Sequence, residues 1–179
     1  MFFAYLCDAK VKNELFMKQK VPLSGYSLSI SVAVLAVLSG IVLLELKKGE
    51  GELALFAVAI MVMLCIMALV YMPLSVSVDE NSLDIHRSLA IKSIPLGEIE
   101  SVMLCPPTMS ERRICGSGGW FGYWGWFREP SIGRYFAYYG KASDCFVVRL
   151  KNGRKYLIGC EHPKEMVEQI DRKIWRKSE

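Results

Sequence analysis

The sequence has little of what acid–base and metal chemistry require. Its 179 residues include 2 histidines, His86 and His162, far apart along the chain. Cys160-Glu161-His162 brings a thiol beside an imidazole, but a structural zinc site takes about four ligands and this spacing supplies no second pair. The 6 cysteines form no CxxC pair, so free thiols in a reducing compartment are expected; a Cys105–Cys115 bridge would require an external domain. A Walker loop is absent, and Gly116-Ser117-Gly118-Gly119 runs into aromatic residues rather than a helix start, which argues against a nucleotide site. No pair of carboxylates stands in an apolar setting. These absences point away from an enzyme, a metal and a cofactor.

Charge is missing from two long stretches. From Tyr26 to Leu46 the only charged residue is Glu45, and from Leu53 to Met72 there is none. These runs hold most of the surplus behind a hydrophobic content of 53% and a mean hydropathy of +0.28. That surplus excludes disorder, collagen-like repeats, a disulfide-dense miniprotein and a wholly soluble single domain. At roughly 1.5 Å per residue, a helix of about 20 residues crosses a hydrocarbon layer of roughly 30 Å. Unpaired backbone groups are costly in lipid, so residues 26–46 and 53–72 are expected as transmembrane helices. The polar link Lys47-Lys48-Gly49-Glu50-Gly51-Glu52 turns them antiparallel, and Pro73 stops the second. Too long and too far from the start for a signal peptide, the first run is expected to stay in the mature chain.

Ser29, Ala33, Ala36 and Gly40 give the first helix a small face, and Ala54, Ala57, Cys65 and Ala68 give the second a less regular one. Small faces allow close helix approach, within the hairpin or between copies. Lys10, Lys12, Lys18 and Lys20 precede the first run and Arg87 and Lys92 follow the second, against Lys47 and Lys48 in the link. Lysine and arginine favour the cytoplasmic side, so both termini are expected there, in a multi-pass protein of the inner (cytoplasmic) membrane. The lysines of residues 1–25, interspersed with Val11, Leu15, Phe16 and Met17, also fit an interfacial amphipathic helix. Membrane anchorage together with a net charge of only +4 argues against nucleic acid as a partner.

Beyond the hairpin, residues 74–179 read as an α+β domain. Two-residue alternation marks strands at 75–79 and 83–87, with further extended pieces at 91–95 and 99–104. Residues 145–150 and 154–159 flank Lys151-Asn152-Gly153, a tight hairpin signal. Met166, Ile170 and Ile174 then recur every four residues beside Val167, one amphipathic helix. Arg149, Lys151, Arg154 and Lys155 around the turn read as a solvated cluster.

Several pieces carry a resemblance: Ile94-Pro95-Leu96-Gly97-Glu98-Ile99-Glu100-Ser101-Val102, then Cys115-Gly116-Ser117-Gly118-Gly119-Trp120-Phe121-Gly122, Ile132-Gly133, Tyr138-Tyr139, the late hairpin and the terminal helix. In this order the chain resembles bacterial pleckstrin-homology (PH)-like membrane proteins, in which a transmembrane hairpin precedes a PH-like domain. The resemblance implies a seven-stranded, bent antiparallel sheet or open barrel capped by the C-terminal helix. It implies no particular ligand, because the fold serves lipid, peptide and protein binding alike.

Residues 115–127 interleave five glycines with six aromatic rings, including three of the 4 tryptophans. Glycine admits close backbone approach, and flat rings supply contact area at low entropic cost. Three destinations are open: the domain's own core, the lipid headgroup layer, or a partner protein. Gly116, Gly118, Gly119, Trp120, Phe121, Tyr123, Trp124 and Trp126 are therefore the candidate binding residues, with Arg112 and Arg113 placed to meet anionic headgroups. The expected function is a non-catalytic, membrane-anchored binding or scaffold module that engages a protein or lipid partner at the cytoplasmic membrane face, the partners being the bilayer, another membrane or cytoplasmic protein, or a second copy through the transmembrane helices. Alternatives are a structural protein oligomerising through its helices and an accessory subunit of a membrane enzyme or transporter.

Overall fold

The computed structural model describes residues 17–49, 51–108 and 110–178. The chain opens with strand β1 (Met17–Lys20), followed by helices α1 (Gly25–Lys48) and α2 (Gly51–Tyr71). Strands β2 (Pro73–Val78), β3 (Ser82–Arg87), β4 (Ile91–Pro95) and β5 (Ile99–Leu104) come next. The remainder is β6 (Arg112–Gly119), β7 (Gly122–Glu129), β8 (Gly133–Tyr139), β9 (Cys145–Leu150), β10 (Lys155–Gly159) and helix α3 (Pro163–Ser178).

Ser24 caps α1 by accepting from Ser27 N at 3.1 Å, and Gly49 ends it at φ 81°, so both helices run into the polar link and leave a shorter turn than expected. At roughly 1.5 Å per residue the helices are about 36 Å and about 32 Å long. Both are long and apolar enough to cross a membrane, and only 11% and 17% of their apolar windows are buried, where a soluble core helix would be mostly buried. Ala54, Ala57 and Ala68 of α2 are buried, so the small face expected on that helix packs against α1. On α1 the expected face is not packed within the hairpin. Ser29, Ala33 and Ala36 are exposed, while Ser27 and Ser31 are buried.

Strands β1–β4 form one sheet in sequence order, and β5-β9-β10-β8-β7-β6 form a second. Both are open. The strand count departs from the seven implied by the resemblance, because β1 is added from before the hairpin and the glycine-aromatic segment forms strands of its own. The second sheet is not wholly antiparallel either: β8 and β10 run parallel, Phe136 beside Tyr156. Met17–Lys20 is a strand paired with β2, Lys20 opposite Ser75, rather than part of an amphipathic helix; Lys10 and Lys12 lie outside the described residues.

Alternation sets the main core. Val76, Val78, Leu83 and Ile85 of the first sheet meet Phe146, Val148 and Ile158 of the second, and Met166 and Ile170 of α3 close the stack. A smaller core lies on the other face of the second sheet, around Phe127, Tyr135, Tyr139, Val147 and Leu157. The β5–β6 connection must cross between opposite edges of this sheet. It is fastened by two carboxylates: Glu111 accepts from the hydroxyls of Tyr135 and Tyr139, and buried Glu129 accepts from Thr108 N at 3.1 Å.

Candidate binding surface at a glycine-rich hairpin

Strands β6 and β7 are joined by a two-residue turn, Trp120-Phe121, between the facing glycines Gly119 and Gly122. Phe121 adopts φ 49°, a conformation that a bulky side chain takes only where its surroundings hold it. Ser117 Oγ serves the turn carbonyls of Trp120 and Gly122 at 2.9 and 3.1 Å, and the Trp124 indole N–H donates to Trp120 O at 3.2 Å.

The turn lies against the two apolar helices. Phe121 N donates to Ser31 Oγ at 2.9 Å, and that hydroxyl donates to Ser27 O at 2.8 Å. The Trp120 indole N–H donates to Leu64 O at 3.2 Å. A Cβ on Gly119 would come within 3.1 Å of Ile30 Cδ1, so a side chain there would crowd Ile30 of α1 and be strained at φ 136°. Further along β7, Trp124 stacks on Tyr71, the last residue of α2, with centroids 5.1 Å apart. Ser31 lies six residues inside the start of α1 and Leu64 seven residues from the end of α2. The turn therefore reaches roughly 9–10 Å along the helices from their domain-side ends.

Beyond Trp124 the hairpin bends. Gly116 faces Gly125, with φ of 128° and 120°. A Cβ on Gly116 would fall 2.2 Å from Trp124 O, and one on Gly125 would fall 2.3 Å from Cys115 O. A bulge between Arg113 and Cys115 adds to the curvature. Arg113 consequently turns back toward the tip, its Nη1 3.2 Å from where a Gly118 Cβ would stand.

The expected site residues thus separate into different environments. Gly119, Trp120, Phe121 and Trp124 meet the helices. Tyr123 enters the smaller core, stacked on Tyr139 at 4.6 Å. Trp126 packs edge-on against Phe136 at 5.2 Å, and the Arg134 guanidinium lies 4.4 Å from its ring centre. Gly116 shapes the bend and Gly118 makes room for Arg113, whereas Arg112 points with Arg128 at the other end of β6. Ser31, Leu64 and Tyr71 were not expected at the site. The signal for Ser31 was a hydroxyl inside an apolar span, which calls for a hydrogen-bond partner.

A family model described as the bacterial PH domain matches residues 74–174. The chain belongs to the bacterial PH domain family. No curated protein and no solved structure matches it. PH domains are in general non-catalytic modules that bind proteins or lipids. In this PH domain no group of three or more His, Cys, Asp or Glu side chains is placed to hold a metal ion, among the described residues. Burial pushes the Cys160 thiol up to about 12 and raises that of Cys145, an environment opposite to the one an attacking thiolate needs.

Proposed function

We propose that the protein is a membrane-anchored binding module: α1 and α2 span a bilayer, and the β6–β7 turn enters the same leaflet beside them. The observation that carries this reading is the paired contact of Phe121 N with Ser31 Oγ and of the Trp120 indole with Leu64 O, well inside the ends of helices whose outer faces are apolar and exposed. Tyr71, Trp124 and Trp120 lie at the depth where aromatic rings favour the boundary between water and lipid. Arg113, turned toward the tip, is placed to meet an anionic headgroup, a contact contributing about 1 kcal/mol. Lys18 and Lys20 in β1, with Arg87 and Lys92 beyond the spans, support a cytoplasmic domain and cytoplasmic termini in the inner membrane. Anchorage raises the concentration of domain and partner near the surface, so weak contacts suffice.

The test is tryptophan quenching in vesicles containing lipids with nitroxides at shallow or deep acyl positions. Wild type should show shallow quenching that a Trp120→Phe/Trp124→Phe variant largely loses. A chain extracted by alkaline carbonate, or quenching identical in the two proteins, overturns the reading.

A further inference from the structure

Register places like charges side by side at the end of the second sheet remote from the turn. Arg112 of β6 faces Arg128 of β7, and Arg128 faces Arg134 of β8. In the parallel β8–β10 pair Tyr156 lies beside Phe136, so Arg154, two residues earlier, continues the row beside Arg134. Arg134 and Arg154 line one open groove together with Trp126, Phe136 and Tyr156.

All four arginines are exposed, and among the described residues none forms an ion pair with a carboxylate. Like charges directly opposite on neighbouring strands oppose folding. Such a row is nevertheless well matched to an external anion, because guanidinium groups hold carboxylates through two parallel hydrogen bonds.

We propose that this row docks an extended acidic segment of a partner protein, lying across the strands with carboxylates on alternate residues. Strands stand roughly 4.8 Å apart, so four in-register arginines cover about 14 Å, the length of about five extended residues. The distal part of β6 is the edge of its sheet, and Ile114 there is 53% exposed, an apolar contact beside the charges.

The surroundings favour carboxylates over other anions. Nucleic acid would need open ring faces for its bases, but Arg134 covers Trp126, Phe136 meets Trp126 edge-on, and Tyr156 is only 9% exposed. Lipid headgroups belong to the part of the hairpin that touches the helices, residues 119–124. The arginine row lies beyond the bend at Gly125. The proposal supplies the partner chemistry for the module proposed above and rests on that reading only for its place at a membrane.

The test uses the full chain in uncharged detergent, so its failure is distinct from failure of vesicle insertion. A fluorescent peptide alternating glutamate with valine is titrated by anisotropy, alongside the same peptide with glutamine for glutamate, a single-stranded oligothymidylate, and phosphatidylglycerol micelles as competitor. Glutamate-peptide binding that weakens with salt, drops about tenfold in the Arg128→Gln/Arg134→Gln double variant, and is absent for the glutamine peptide supports the proposal. Circular dichroism checks that the variant is folded, and Arg154→Gln, in a surface turn, provides a second folded variant expected to weaken binding severalfold. No binding, equal binding by wild type and both variants, or displacement of the peptide by the oligonucleotide or the lipid at lower concentration than by unlabelled peptide overturns it.

Discussion

Phe121 N donates to Ser31 Oγ across 2.9 Å, joining the tip of a β-hairpin to the second turn of an apolar helix 90 residues earlier in the sequence. Ser31 is 2% exposed, so its hydroxyl has no water to replace this donor. Ser31→Ala should cost about 1 kcal/mol at this contact, read as a roughly five- to tenfold faster amide exchange at Phe121. An unchanged exchange rate would remove the bond from any account of how the domain sits on the helices.

The Gly116–Gly125 pair makes a sharper demand. Gly125→Ala would place a methyl 2.3 Å from Cys115 O at a φ of 120°, so the strands must part. We expect a loss of about 3 kcal/mol, seen as a lower denaturation midpoint of the domain. Gly97→Ala, with nothing within 4 Å, serves as the control and should melt with wild type.

Glu111 holds two fully buried phenols. Glu111→Ala leaves the hydroxyls of Tyr135 and Tyr139 without their acceptor, a loss of about 2–4 kcal/mol. Proteolysis should then cut the β5–β6 connection first. A variant as stable and as resistant as wild type would show that the connection is not fastened there.

The same two tyrosines set an alkaline limit. Burial, with Glu111 beside them, raises both above the ordinary 10.0, and burial raises Cys145 and Cys160 above 9.0. Because the unfolded chain ionises first, these groups contribute full stability below about pH 9 and progressively less as the pH climbs through and beyond the unfolded values. Melting temperature should fall steadily above about pH 9, less steeply in Tyr135→Phe. A flat profile up to about pH 11 would contradict the buried, protonated state of these groups.

The helices offer a paired comparison. Ala57 is 7% exposed against α1, whereas Ala33 faces outward. Ala57→Leu should overpack the hairpin by about 1–3 kcal/mol, and Ala33→Leu should leave it intact. Crosslinking between cysteines placed across the α1–α2 contact reads the difference; equal effects would mean that the hairpin face is wrongly assigned.

Much of this architecture was legible because single segments carried it. The spacing of Met166, Ile170 and Ile174, the Asn152-Gly153 turn and the two apolar runs each declare an element locally. What escaped was relational. Nothing in Met-Lys-Gln-Lys announces a strand, because the partner of Met17–Lys20 lies beyond both helices in β2. In residues 115–127 the residue types were informative but their destinations were not. Alternation along β7 sends Tyr123 and Phe127 to one face and Trp124 and Trp126 to the other, a split that a reading by composition merges. The arginine row appears only once register aligns residues from separate strands.

The pairing of β1 with β2 also bears on biogenesis. Its two halves are translated on either side of the helices, so the first sheet cannot be completed until α2 has left the ribosome and the chain has doubled back. A head domain expressed from Leu74 onward would begin with an orphaned β2, its Ser75–Val78 rim open to strand exchange with a second molecule, and should aggregate where the whole chain does not.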